Sequence, residues 1–376
     1  MAAVQWRAAL AAITGLFVVS RGALLLVAAF LENNIGLQYH GATFSSAPLL
    51  RSLTGSDSPF YLGIAAEGYH AEPVTKGFLD WAFFPFYPMV VKAASLLTFG
   101  DVALAGVIVS NVAFLVALGL LYRLAVRHFD HDTAVRSLAF LTFAPGAVAF
   151  AMAYSDSLFL ALAAGAFLAA EQRRLPLMAV LYALASLTRL QGVLLGIPLA
   201  FVIVEASGGW RSIASWRTRR LLWLVAGPLG FAAFAAYLGV RFGDPLGMVS
   251  AQKAWSQIGQ EPTGPVTPVL DRFDPIVLLL VAVLCLYLVL FLFRRVDRPP
   301  VAYTAFAITS FGATFLAMFS NTTLIQSFAR YMAVVWPFSW TLAKRRGPTF
   351  ELLGIAGFAA LFVIYAVLNF TQALAP

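Results

Sequence analysis

The amino-acid sequence predicts an all-α polytopic membrane protein with about eleven transmembrane helices and a long first outer loop carrying interfacial helices. Three observations carry this. Hydrophobic residues make up 61% of the 376 residues and charged residues 11%, whereas a soluble domain carries about 25% charged. Apolar runs recur from end to end, each near the about 20 residues that a hydrocarbon core about 30 Å thick demands. When these runs are threaded through a bilayer, the basic residues gather on one side.

The spans fall at approximately 8–31, 101–122, 134–152, 157–170, 175–188, 190–206, 220–240, 275–293, 301–319, 329–343 and 350–372. Residues 1–376 are read as one integral membrane domain, since no soluble-sized interval separates the spans. The first run, Ala8 to Leu31, is too long for a signal-peptide core and lacks a small-residue cleavage site, so it is expected to stay as a helix. Cys285, the single cysteine, lies within a span, which excludes an internal disulfide framework and a cysteine-built metal site. Arginine outnumbers lysine 21 to 4, which suggests a GC-rich prokaryotic genome and hence the cell membrane as the compartment.

The segment Trp81 to Phe99 is apolar enough to cross or to lie along the membrane, and orientation arbitrates. With that segment in the interface, the N-terminus is cytoplasmic and 16 of the 25 basic residues face inward, giving that side a net +10 and the rest of the chain −2. The positive-inside rule is then strongly obeyed. Making 81–99 a span would reverse the basic loops. The net charge of +8 therefore reads as a topology signal and a contact with anionic lipid headgroups. No nucleic-acid partner is expected, because no basic stretch is interleaved with stacking aromatics in a soluble module.

The outer side concentrates the chemistry. The first outer loop, about 32–100, far exceeds the 12–15 residues at which an unstructured connection becomes unusual, so it is expected to be folded and functional. Within it, Pro59 to Gly68 and Trp81 to Leu97 combine aromatics, prolines and an apolar face, as interfacial helices do. A second outer loop spans about 241–274, and shorter outer turns carry Tyr154 to Ser157 and Asn321 to Arg330.

Each ionisable residue has two readings. Asp57, just ahead of Ser58-Pro59, is either a helix N-cap or a general base at the membrane face. Glu67 reads as part of a solvated helix face, and Asp156 as an N-cap or a substrate contact. Arg189 stands between two short apolar segments, where a charge must face protein or a watery cavity and is functional by default. Arg330 beside Tyr331 either snorkels to the headgroups or meets substrate. Arg21, mid-span, calls for an internal ion pair or a substrate contact. Lys253 and His70 are outer-loop cations.

Carboxylates that activate a nucleophile, together with cations that hold an anionic leaving group, fit transfer of a sugar from a lipid phosphate. One phosphate needs only one or two arginines. The lone D-x-D, Asp130-His131-Asp132, sits in a basic cytoplasmic turn and reads as a solvated loop, so neither metal nor other cofactor is expected.

Ser56-Asp57-Ser58-Pro59-Phe60-Tyr61-Leu62-Gly63-Ile64-Ala65, then Gly68-Tyr69 and Ala82-Phe83-Phe84-Pro85-Phe86-Tyr87-Pro88, resembles the opening loop of the PIG-V-like mannosyltransferases of the GT-C superfamily. Ala153 to Phe159, Leu187-Thr188-Arg189, Gly243-Asp244-Pro245-Leu246 with Gln252 and Trp255, and Arg330-Tyr331 ahead of Pro337 extend the resemblance over almost the whole chain. Ser56 stands where the family often has an aromatic, and Asp156 where relatives often have glutamate.

The resemblance implies a polyprenyl-phosphate mannose donor, an inverting displacement, and an acidic catalytic residue in the first outer loop, a role that falls to Asp57. Arg189, Arg330 and Lys253 are the expected phosphate binders. Tyr61, Glu67, His70, Asp156, Gln252, Trp255 and Tyr331 are expected around the sugar and the acceptor, which would be a glycolipid or another envelope molecule on the extracytoplasmic face. A flippase or transporter of lipid-linked sugars is the alternative. Such proteins usually carry internal repeats, and none is evident here.

Overall fold

The computed structural model describes residues 2–35, 44, 47–73, 79–251, 300–320, 324–345 and 347–371. Among them every regular element is a helix. Four helices are long and apolar enough to cross a membrane, over Trp6–Asn34, Val102–Ala125, Arg219–Phe242 and Thr349–Phe370. The expected span 275–293, and with it Cys285, lies outside the described residues.

The first helix, α1 (Ala2–Ile35), is followed by the short α2 (Pro48–Ser52), α3 (Ser58–Glu67) and α4 (Phe86–Ser95). Ten residues of α4 extend only about 15 Å, half a hydrocarbon core, so this helix is too short to cross. Its amphipathic end continues into Leu96, Leu97 and Phe99, all strongly exposed, as suits a segment lying in an interface.

α5 (Val102–Ala125) and α7 (Asp156–Glu171) run side by side in the same direction. At their starts, the Ser110 hydroxyl donates to the Tyr154 carbonyl at 3.0 Å. At their far ends, Glu171 accepts from Arg127 Nε at 2.6 Å and pairs with His128 Nε2 at 2.7 Å. α6 (His131–Thr142) and a 3-10 stretch, Pro145–Phe150, carry the chain back between them. Two ends of the bundle can thus be told apart, one at Asp156 and the other at Glu171.

The later helices shuttle between those ends. α8 (Leu175–Ser186) returns to the Asp156 end, where the Leu187 carbonyl accepts from the Phe86 amide at 3.0 Å. The short α9 (Gln191–Leu194) and α10 (Gly196–Glu205) lead away again, and α11 (Ala226–Phe242) packs on α8 and ends with Phe242 stacked on Trp81, ring centroids 4.9 Å apart. α12 (Val301–Ser320) begins at the Glu171 end, where the Tyr303 hydroxyl donates to Glu171 at 2.5 Å. α13 (Leu324–Ala333) and α14 (Pro337–Ala343) descend from Arg330 to Ala343, whose carbonyl accepts from Arg136 Nε at 3.3 Å, and α15 (Pro348–Phe370) starts beside Arg136 through Glu351.

Three expected spans are broken, each near a proline. The segment 134–152 leaves the α-helix at Thr142 ahead of Pro145, 190–206 divides at Leu195 ahead of Pro198, and 329–343 pauses at 334–336 ahead of Pro337. A proline removes one backbone donor and crowds the preceding turn, and inside a bundle neighbouring groups can satisfy the freed carbonyls. Arg21, expected to find an ion pair or a substrate, makes no ion pair with any described residue. Its guanidinium donates to Asn111 Oδ1 at 2.7 Å and to the Phe150 carbonyl at 3.0 Å, and lies over the Phe114 ring at 4.4 Å.

Candidate functional site

Four charged side chains alternate in sign at the Asp156 end. Asp57 Oδ2 accepts from Arg330 Nη1 at 2.6 Å, Arg330 Nε donates to Asp156 Oδ2 at 2.9 Å, and Asp156 Oδ1 pairs with Arg189 Nη1. The residues come from four separate parts of the chain, and their formal charges cancel. Asp156 is fully buried and both arginines are buried, whereas the Asp57 side chain is 24% exposed. Asp57 is thus the member of the set that faces outward.

Local structure explains how each side chain arrives. Asp57 occupies the N-cap position of α3, yet its carboxylate caps no backbone amide and turns to Arg330 instead. Ser56 just before it has φ 54°, in the left-handed region, which costs a non-glycine residue about 1–2 kcal/mol. The turn is pinned by Tyr154, whose hydroxyl accepts from the Asp57 amide at 3.2 Å and donates to the Gly55 carbonyl at 3.4 Å. The Ala153 amide donates to the Leu53 carbonyl at 2.9 Å, joining the same two stretches one step deeper.

Asp156 opens α7, and it too leaves the backbone uncapped. Its two oxygens are taken by the two guanidinium groups, which places it behind the arginines as their shared counter-ion. Arg189 sits in the turn between α8 and α9, and its Nε donates to Gln191 at 3.3 Å. Arg330 is carried by α13, which lies directly on the 3-10 stretch at Gly146. A Cβ at that glycine would come within 2.1 Å of the Ala329 carbonyl oxygen, so only glycine lets the two backbones meet there. Arg330 also lies over the Tyr154 ring at 4.2 Å, and Arg189 over the Tyr331 ring at 5.1 Å. Both contacts add cation–π attraction.

Tyr61 stands behind Asp57 and is buried. Its hydroxyl bonds Ser155 Oγ at 2.8 Å, and its ring meets Phe83 and Tyr87 edge-on. Burial pushes this phenol up to about 12, so it stays neutral and acts as a hydrogen-bonding support for the Ser155 turn.

Glu67 and His70 form a separate group. His70 Nδ1 bonds Asp80 Oδ2 at 2.9 Å and His70 Nε2 bonds Glu67 Oε2 at 3.2 Å, while the Trp81 indole donates to the His70 carbonyl at 2.7 Å. The hydrogen bond its ring donates to the Asp80 carboxylate raises His70, and burial raises Asp80. Glu67 is 70% exposed and His70 36%, so this cluster borders solvent and clips the end of α3 to the turn at Asp80–Ala82.

The structure therefore brings together Asp57, Arg189, Arg330, Asp156, Tyr61 and Tyr331, and sets Glu67 and His70 apart from the ion pairs. Gln252, Lys253 and Trp255 lie outside the described residues. Tyr154 and Asp80 are site residues that residue-by-residue reading passed over. Tyr154 carried a signal, two positions ahead of an acid at a helix start, but Asp80 is recognisable only through its burial. In the D-x-D stretch, Asp130 caps α6 by accepting from the Thr133 amide at 2.8 Å, a structural role. Among the described residues, no three His, Cys, Asp or Glu side chains converge where a metal ion would sit.

Comparison with known proteins adds the following. Residues 85–239, less than half of the chain, match a family model described as dolichyl-phosphate-mannose-protein mannosyltransferase. That stretch holds Asp156 and Arg189 but neither Asp57 nor Arg330. Among solved structures, an Archaeoglobus fulgidus oligosaccharyltransferase tethered to an acceptor peptide is 14% identical, with a TM-score of 0.44 over 95% of this chain and 55% of that one. The oligosaccharyltransferase AglB of the same organism, in complex with an inhibitory peptide and a dolichol-phosphate, is 13% identical, with a TM-score of 0.42 over 96% of this chain and 56% of that one. The chain spans about half the length of these structures. No curated protein sequence matches it.

Proposed function

We propose that the protein transfers a hexosyl residue, mannose first among the candidates, from a polyprenyl-phosphate donor to a lipid or envelope acceptor. The observation that carries this reading is the partly exposed carboxylate of Asp57 backed by two buried arginines. It pairs a base for an acceptor hydroxyl with cations for a leaving phosphate, and the match of residues 85–239 to a dolichyl-phosphate-mannose-dependent family supports the donor class.

In the proposed reaction Asp57 takes the proton of the acceptor hydroxyl as its oxygen attacks the anomeric carbon. The bond from that carbon to the phosphate oxygen breaks, the phosphate leaves with the electron pair, and the configuration inverts. Arg330 and Arg189 stabilise the charge that develops on the leaving oxygen. No metal takes part.

The arrangement of charges suggests the order of events. Arg330 is shared by two carboxylates, and of these only the one on Asp57 reaches the surface. A donor phosphate entering from that side competes for Nη1 and frees the Asp57 oxygen for the acceptor proton, while Asp156 keeps both guanidinium groups in place. The base is then released by the substrate whose reaction it serves.

Eleven crossings, a cytoplasmic N-terminus and a site on the extracytoplasmic face belong to the same proposal. The apolar helices and the basic residues at the Glu171 end support it. The experiment is transfer of labelled mannose from synthetic polyprenyl-phosphate mannose to a crude lipid extract by the purified protein, with chelator present and Asp57→Asn alongside. Product that survives the chelator and needs Asp57 is the expected result. Movement of the intact lipid-linked sugar across a vesicle membrane without transfer would replace this reading with the transporter one.

A further inference from the structure

On the outer surface of the bundle, α5, α7 and α8 leave an open groove of about 670 Å³, closed at its Asp156 end by Val90 and Ala94 of α4. Its floor is made of small residues, Ala113, Ala161 and Gly165 among them. These hold the helices close and leave a hollow where larger side chains would fill the gap. A Cβ at Gly165 would already press to 3.1 Å from Leu181. Val112 and Val116 on the rim are well exposed. Along α5 the groove runs from Ile108 to Arg123, about 22 Å at 1.5 Å per residue, most of one hydrocarbon core.

Its walls are apolar until the Glu171 end, where Arg123 and Arg174 stand at the mouth. Both are exposed. Neither guanidinium has an acidic, carbonyl or aromatic partner among the described residues, in contrast to Arg127, Arg136 and Arg173 nearby. Arg123 also borders a second hollow with Trp6 and Tyr122, the residue types that mark the headgroup level of a bilayer. A greasy channel with two unneutralised cations at headgroup depth is complementary to a molecule with a long apolar chain and an anionic head.

We infer that this groove is a binding site for one acyl chain of an anionic phospholipid, its phosphate held by Arg123 and Arg174 in the leaflet opposite Asp57. The site is independent of the transferase reading, since none of its residues belongs to the four-charge set. The free cations favour this occupant over a second copy of the chain, because the groove runs between exposed valines and leucines and offers a helix face no acidic partner. A zwitterionic lipid fits the channel equally well but carries no net charge for the two arginines.

The test is native mass spectrometry of the purified full-length protein, stripped of lipid and titrated with dioleoyl phosphatidylglycerol or dioleoyl phosphatidylcholine. One phosphatidylglycerol should be retained about tenfold to thirtyfold more tightly than phosphatidylcholine, as expected for two arginines at the lipid surface. Arg123→Ala with Arg174→Ala should bring the two lipids level, and because neither side chain has an internal partner, the melting temperature should hold. Val112→Trp, which fills the channel from its exposed rim, should weaken both lipids. Equal retention of the two lipids by the unaltered protein, or a preference that survives loss of both arginines, would overturn the inference. A dimer that Val112→Trp dissolves would also overturn it, assigning the groove to a second copy.

Discussion

Arg330 binds Asp57 at 2.6 Å and Asp156 at 2.9 Å, through Nη1 and Nε of the same guanidinium. One rigid planar cation thus holds a buried acid and a surface-facing acid at fixed separation, a geometry that a lysine ammonium cannot reproduce. Asp57→Asn keeps the shape and a hydrogen-bond acceptor but removes the base, so transfer should fall about 10²–10⁴-fold, while the melting temperature falls less than in Asp156→Asn because the Asp57 side chain is partly exposed and solvent screens its charge. Arg330→Lys should lose activity and also lower the melting temperature. Rates and thermal unfolding of the two variants check this together. Asp57→Asn with near-normal turnover would end the base assignment.

Asp156 is the keystone of the set. Removing one partner of a buried ion pair leaves the other charge uncompensated, at a cost of about 3–5 kcal/mol. Asp156→Asn leaves two buried arginines facing Asp57 alone, and it should destabilise the protein by that order. Adding Arg189→Gln removes the surplus charge and should restore part of the loss. A double-mutant cycle measured by thermal unfolding reads the coupling, and additive losses would contradict a shared network.

Gly146→Ala places a methyl group where the Ala329 carbonyl already lies. The backbone of α13 must retreat, and Arg330 with it. Overpacking of this kind costs about 1–3 kcal/mol, and catalysis should suffer more than stability because the displaced residue is Arg330. The KM for the donor should rise in Gly146→Ala and stay unchanged in Gly357→Ala, where a Cβ meets open space.

The clip between His70 and Asp80 should depend on pH. An unfolded histidine titrates near about 6.5, and Asp80 raises the folded value of His70. A raised histidine contributes stability that is full below the unfolded value and is lost as pH rises through the folded one. Asp80 is raised by burial, so its ionised form is a cost to the fold at neutral pH, offset while His70 is protonated. The clip therefore loosens as pH rises from about 6.5 through the raised folded value of His70. His70 is partly exposed and solvent screens it, so the change should be local. Fluorescence of Trp81, whose indole donates to the His70 carbonyl, reports it against a Trp81→Phe background. A pH-independent signal there, or one that persists in His70→Gln, would rule out this role.

Much of this architecture was legible in residue order. Apolar run length placed most of the long described helices, such as Val102–Ala125 and Asp156–Glu171, because helix length in a bilayer is set by its thickness. Asp57, Arg189 and Arg330 were singled out because charges beside apolar runs need a reason. Their pairing was not legible, since Asp57 and Arg330 lie 273 positions apart and no local rule links them. The N-cap reading of Asp57 was right about position and wrong about partner, whereas Asp156 lies one residue inside its helix, after the N-cap Ser155; in both, a buried guanidinium outcompetes a backbone amide for the carboxylate. The breaks ahead of Pro145, Pro198 and Pro337 were visible as prolines. Whether a proline breaks a span or merely kinks it depends on neighbours that hydropathy does not describe.

Arg21 gives the fold an electrical property. It lies about midway along the apolar stretch Trp6–Asn34, and its described partners are an amide, a hydroxyl, a carbonyl and two aromatic rings, all neutral. A unit charge crossing the whole membrane exchanges about 2.3 kcal/mol per 100 mV with the transmembrane voltage, so one held halfway feels about half of that. Where α1 crosses an energised membrane, the field therefore exerts a steady pull on it, and Arg21→Gln should reduce any voltage dependence of the stability of that helix in charged vesicles.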